Sequence, residues 1–138
     1  MIFQHLEKYK QGHFFFEKGQ DLKQQSKEVP SLPGVYYFLR LCKGKVDIVY
    51  IGKSGTILND GSFKKQTLKE RINNKQENMK RQQYLNKKID EEKIDALDIY
   101  WFVTFDDNHK DLPAFMEGVL MQEYFDNYGT LPPWNKDF

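Results

Sequence analysis

The chain has 138 residues, of which 30% are charged and 15% aromatic, and its formal net charge is +1. That length builds one hydrophobic core and leaves too little for a second ordinary domain, and no apolar run approaches the roughly 20 residues that a membrane helix takes. Cys42 is the only cysteine, which excludes an internal disulfide and a cysteine-rich zinc site.

The first ten residues place Glu7, Lys8 and Lys10 among apolar positions and lack the long apolar core of a signal peptide, so a cytoplasmic location is expected. Ile2, Phe3, Leu6 and Tyr9 recur at helical spacing, and Phe14, Phe15 and Phe16 follow as a second apolar patch. Residues 1–32 are therefore predicted to form an N-terminal helical cover on the same unit as residues 33–138. A short polar helix is expected within residues 19–27, before Pro30 and Pro33 interrupt regular structure.

Residues 35–41 and 46–51 are rich in β-branched and aromatic side chains around Lys43-Gly44-Lys45, which predicts a β-hairpin. A register with Tyr36 opposite Tyr50 leaves a five-residue loop and sets both phenols on one sheet face. Residues 52–66 read as a loop. Leu68, Ile72 and Met79 then mark one side of a predicted helix, with Lys64, Arg71, Lys75 and Asn78 on an adjacent stripe. Asn73-Asn74 is a plausible break in it. Residues 97–105 predict a third strand, and Leu112, Phe115, Met116, Val119, Leu120 and Tyr124 an amphipathic helix ending before Gly129. The expected fold is α/β: a small three-stranded, mostly antiparallel sheet flanked by helices.

The near-neutral net charge conceals a segregation. Residues 61–88 hold nine Lys/Arg against two Asp/Glu, whereas residues 89–138 hold three against twelve. A basic segment attracts phosphates whatever the total, because salt screens charges beyond about 8 to 10 Å.

Five separated positions carry more information than any of these patterns. Gly34-Val35-Tyr36 opens the first predicted strand, Tyr50-Ile51-Gly52 closes the second, Arg71 lies in the basic stretch, Glu117 in the amphipathic helix, and Asn135 near the end. In this order they resemble the GIY-YIG family of metal-dependent DNA nucleases, over about residues 33–135, and the resemblance implies that family's α/β sandwich.

Periodicity alone does not choose Glu117 over Glu123; the resemblance does, because family members follow the acid with a Leu-Ile-like pair and later a Pro-containing segment ending in Asn, here Leu120-Met121 and Pro133 to Asn135. A single carboxylate with substrate phosphate and water can hold Mg²⁺ or Mn²⁺, which makes Glu117 the expected metal ligand. The resemblance casts Tyr36 as general base and Tyr50 as the group that orients the attacking water or a phosphate oxygen. A phenol ionises near pH 10, so Lys53 and the metal are needed to favour a phenolate. Arg71 supplies a planar fork for phosphate oxygens, and Asn135 is an organiser of backbone.

Lys64, Lys65, Lys69, Lys75, Lys80 and Arg81 are predicted phosphate contacts, which confer affinity for DNA without reading sequence. No separate DNA-reading module is visible, so specificity would come from the loop after Gly52, the N-terminal segment, a homodimer or a partner protein. The alternative reading is a non-catalytic module of the same fold that binds nucleic acid or another protein.

Overall fold

The computed structural model describes residues 3–64 and 67–138. In chain order it runs from a 3₁₀ turn, Gln4–Leu6, to β1 (Lys10–Phe16), α1 (Leu22–Gln25), β2 (Gly34–Cys42), β3 (Lys45–Ser54) and α2 (Leu68–Ile72). A miniature hairpin of β4 (Lys75–Gln76) and β5 (Met79–Lys80) precedes α3 (Arg81–Glu92), β6 (Ala96–Val103) and α4 (Pro113–Tyr128). The main sheet is antiparallel throughout, in the order β1-β6-β2-β3.

Alternation along the strands creates two cores. Tyr36 and Phe38 of β2 join Leu97, Ile99 and Trp101 of β6 on one face, under Leu22, Leu68, Ile72 and Leu85 from α1, α2 and α3. Val35, Tyr37 and Phe102 point the other way, against Leu6, Met116, Leu120 and Tyr124. Each large apolar side chain so buried contributes on the order of 1.5–3 kcal/mol. The strands are thus sandwiched between two layers, as expected for an α/β unit.

The sheet has four strands, not the expected three. The fourth comes from the segment predicted as a helical cover: its described residues form one 3₁₀ turn and the short α1, which lies within the helix expected over residues 19–27, and between them β1 pairs with β6 from Lys10↔Val103 to Phe16↔Leu97. The helical spacing of Phe3, Leu6 and Tyr9 is satisfied by that turn, which buries all three. The aromatic run after Gly12 then follows its β preference, with Phe16 fully buried.

The hairpin register also differs from the expected one. Tyr36 faces Gly52, and Phe38 faces Tyr50; an irregularity between Phe38 and Leu39 brings Arg40 opposite Asp47 and Cys42 opposite Lys45. Lys43 and Gly44 make a two-residue turn, both with positive φ (52° and 77°), the backbone twist that such tight hairpins require. Near the tyrosines the slip is two residues, a whole period of the strand, so Tyr36 and Tyr50 still share a face.

The long basic helix is replaced by shorter pieces. α2 spans five residues, opened by a capping box between Thr67 and Glu70, and Glu77 and Asn78 turn the β4–β5 hairpin with φ of 51° and 65°. Asn73-Asn74 is where the helical pattern stops. α4 ends as predicted, with Gly129 in the left-handed conformation (φ 72°) and its N–H donating to the Phe125 carbonyl at 2.7 Å.

Candidate active site

Two glycines permit the close approaches on which the site is built. A Cβ on Gly34 would run into the Phe102 carbonyl of β6, so that strand pair accepts no side chain there. A Cβ on Gly52 would stand 2.5 Å from Cζ and 2.6 Å from the hydroxyl oxygen of Tyr36, whose ring lies across the glycine. The glycine of Tyr50-Ile51-Gly52 therefore makes room for the tyrosine of Gly34-Val35-Tyr36.

Tyr36 and Tyr50 stand with ring centroids 6.2 Å apart. Tyr36 is fully buried and Tyr50 half-buried. The Tyr36 hydroxyl accepts a hydrogen bond from Arg81 Nη2 at 3.1 Å, and has no open side toward water. This arrangement corrects the role expected of Tyr36 as the base that meets an attacking water: Tyr36 forms the back of the site and Tyr50 its front. Burial, reinforced by the neighbouring Tyr36, pushes the Tyr50 hydroxyl up to about 12, while Arg81 and Arg71 pull it down.

Arg71 and Glu117 reach this corner from opposite sides. β3 is an edge strand of the sheet, α2 packs on it from one face and α4 from the other. Burial raises the Glu117 carboxyl above its ordinary range, opposed first by Lys53 and then by Arg71. Tyr50 responds electrostatically to Arg71 and Glu117 in turn. Four residues from three elements thus share one electrostatic neighbourhood. Among the described residues, no ion pair within 4 Å uses Lys53, Arg71 or Glu117.

Asn135 closes the edge. Its Oδ1 accepts from the Ile51 N–H and its Nδ2 donates to the Ile51 carbonyl, both at 3.0 Å. The preceding Trp134 N–H donates to the Val49 carbonyl at 2.8 Å. The tail therefore occupies the backbone groups of β3 that flank Tyr50, holding the strand from which Tyr50 projects.

The predicted phosphate contacts divide. Lys64, Lys75 and Lys80 are exposed and Lys69 is half-buried, while Lys65 lies outside the described residues. Lys75 and Lys80 face each other across the β4–β5 hairpin, a like-charge pair that is unfavourable without an anion between or beside it. Arg81 is corrected outright: at 1% exposure it cannot touch DNA. Its guanidinium lies over the rings of Tyr36, Phe38 and Tyr50 at 5.6, 5.2 and 5.4 Å. Nothing in the local sequence separates it from its basic neighbours, because only the tertiary fold turns the first residue of α3 inward.

No cluster of three or more His, Cys, Asp or Glu side chains capable of enclosing a metal ion occurs among the described residues. The donor set does fit a hard divalent ion bound through one carboxylate, since Glu117 is half-buried and, among the described residues, in no ion pair within 4 Å, and Mg²⁺ commonly completes its shell with water and substrate oxygens. No helix of the described residues is long and apolar enough to cross a membrane. Compared with protein-family models, with curated proteins and with solved structures, the chain finds no match.

Proposed function

We propose that this chain is a GIY-YIG-type endonuclease, hydrolysing DNA phosphodiester bonds with Mg²⁺ or Mn²⁺ at the corner formed by Tyr50, Lys53, Arg71 and Glu117. The observation that carries the reading is the electrostatic coupling of Tyr50, at the edge of β3, to Arg71 and Glu117, and of half-buried Glu117 to Lys53 and Arg71, with none of these three charges in an ion pair within 4 Å among the described residues. Charges that only support a fold are ordinarily paired when buried. Here they remain available to a phosphate and a cation.

Each residue has a part in such a reaction. The Arg71 fork binds non-bridging phosphate oxygens and gains strength as negative charge accumulates on them in the transition state. Glu117 would hold the divalent ion, which supplies further charge stabilisation at the phosphate when bound. With its proton affinity raised by burial, Tyr50 is a neutral phenol near pH 7; it aligns the attacking water by hydrogen bonding. Lys53 opposes the rise that desolvation gives the Glu117 carboxyl. Tyr36 and Asn135 hold Tyr50 from behind and along the strand. The exposed Lys64, Lys75 and Lys80 and the half-buried Lys69 are the cations that would meet the DNA backbone, and the Lys75–Lys80 pair in particular favours an anionic partner.

Cleavage of supercoiled plasmid and labelled branched DNA by the wild type and Glu117→Ala, with Mg²⁺, Mn²⁺ or EDTA, tests the reading. Metal-dependent nicking that disappears in the variant while DNA binding persists is the expected result. Undiminished cleavage by Glu117→Ala would sink it. Salt-sensitive binding without cleavage in both proteins would favour a binding module instead.

A further inference from the structure

We infer that Arg81 is the positioning residue of the tyrosine pair: its buried guanidinium fixes Tyr36 by a hydrogen bond, seats Tyr50 by its ring face, and thereby sets where the Tyr50 hydroxyl stands relative to Arg71 and Glu117. The inference rests on the reading of this corner as a nuclease centre and adds to it a residue that neither binds DNA nor meets the reacting atoms.

Burial without neutralisation is the first support. Arg81 is 1% exposed and only one of its side-chain donors is satisfied, by the Tyr36 hydroxyl. Nε and Nη1 are buried without a hydrogen-bond partner, and no carboxylate pairs with the group among the described residues. A Met or Leu would fill the same space without the desolvation of a charge. Packing alone therefore does not account for an arginine at this place. Beside the Tyr36 hydrogen bond its compensation is aromatic, the faces of Tyr36, Phe38 and Tyr50, and both tyrosines of the site are among them.

Connectivity is the second. The Arg81 backbone N–H donates to the Asn74 carbonyl at 2.9 Å, and the Asn74 N–H donates to the Arg71 carbonyl at 3.2 Å. One residue thus links the end of α2, which bears Arg71, to the hairpin that bears Tyr36 and Tyr50. Tyr36 is wedged between Arg81 and Gly52 and has no room to shift. Displacement of Arg81 is accordingly transmitted to Tyr50 and to the Tyr50–Arg71 spacing together.

The test uses Arg81→Met, Tyr36→Phe and their combination, with melting temperature, DNA affinity and single-turnover cleavage measured on each. Arg81→Met should remain folded and bind DNA within about twofold of wild type, while its single-turnover rate falls by about 100-fold, the scale of a small misplacement of reacting groups. Tyr36→Phe, which removes only the acceptor of the Arg81 bond, should lose rate in the same step. The double variant should lie no more than about twofold below the poorer single, because both remove one interaction. A folded Arg81→Met that cleaves like wild type overturns the inference and leaves the nuclease reading intact. Wild type inert on plasmid and branched DNA with either metal overturns both. Should Arg81→Met fail to fold, Tyr36→Phe and Arg81→Lys decide: wild-type cleavage by both overturns the inference, whereas slowed chemistry at unchanged affinity upholds it.

Discussion

The two ends of the β2–β3 hairpin each present arginine, and they treat it in opposite ways. At the turn end, Arg40 donates from Nε and Nη2 to Asp47 at 3.1 and 2.6 Å and from Nη1 to Glu92, which also accepts from Trp134 Nε1 at 3.0 Å. That cation is neutralised by two carboxylates and serves to tie α3 and the tail to the sheet. At the tyrosine end, among the described residues, Arg71, Lys53 and the buried Arg81 have no ion pair within 4 Å, and neither has Glu117, which is coupled electrostatically to Lys53 and Arg71. Similar residue types gathered at the two ends of one hairpin are completed by the fold at one end and, in the proposed reading, left for a ligand at the other. In the proposed reading the difference directs function to the tyrosine end, although a cleft of about 510 Å³ lined by Arg40, Cys42, Asp47 and Glu92 lies at the turn end.

The largest effect that separates the two ends is on chemistry. Glu117→Ala is expected to lower metal-dependent cleavage by about 1,000-fold or to background, by analogy with the loss of a principal transition-state contact, while thermal stability holds or rises because a desolvated carboxyl is removed. A rate assay beside a melting curve checks both. Coincident loss of fold and activity would mean that Glu117 is structural and that the ends do not differ as described.

Next in size is a steric effect. Gly34→Ala meets backbone, the Phe102 carbonyl, which cannot rotate away, and Gly52→Ala meets the Tyr36 ring. Overpacking of this kind costs typically about 1–3 kcal/mol, and the Gly34 variant should lie at or above the upper end of that range, measured by denaturant unfolding. Gly52→Ala should also displace Tyr36 and slow cleavage more than its loss of stability explains. A Gly52→Ala protein as active and as stable as wild type would show that the close approach at the tyrosine is incidental.

Arg40→Gln probes the turn end. Removing one partner of charge-assisted hydrogen bonds costs about 1–3 kcal/mol, and Arg40 is mostly buried between its two acids. Unfolding free energy should fall by that amount with single-turnover cleavage unchanged. A matching loss of rate would erase the distinction between an end that stabilises and an end that acts.

The sequence discloses these ends unequally, for physical reasons. Strand alternation and the Gly129 cap are local, so β2, β3, β6 and α4 are legible from spacing alone. The shared face of Tyr36 and Tyr50 is legible as well, because a slip of two residues conserves it. β1 is not: its residues pair with β6, more than 80 positions away, and helical spacing in Phe3, Leu6 and Tyr9 masks it. The burial of Arg81 is equally illegible, since its neighbours in sequence are the basic, exposed residues that made it look like a phosphate contact. What is read correctly depends on nearest neighbours, and what is missed depends on partners brought from far along the chain.

The smallest expected effect concerns alkaline stability, and it compares the two sheet faces through Tyr37 and Tyr50. Burial pushes both hydroxyls up to about 12, against about 10 for a phenol in the unfolded chain. Below pH 10 neither state releases these protons and the pair contributes no pH dependence. Between about pH 10 and 12 the unfolded chain ionises while the folded one does not, so folding stability falls as pH rises through that window. Tyr37→Phe and Tyr50→Phe should each flatten this alkaline limb in denaturant titrations, because each removes a phenol that only the unfolded state ionises. They should part company in activity. Tyr37, stacked against Tyr100 and Phe102 in the second core, should be dispensable for cleavage, whereas Tyr50→Phe should slow it at unchanged DNA affinity. Equal cleavage by the two variants would place Tyr50 with the structural phenols, and the functional end of the hairpin would then reduce to Lys53, Arg71 and Glu117.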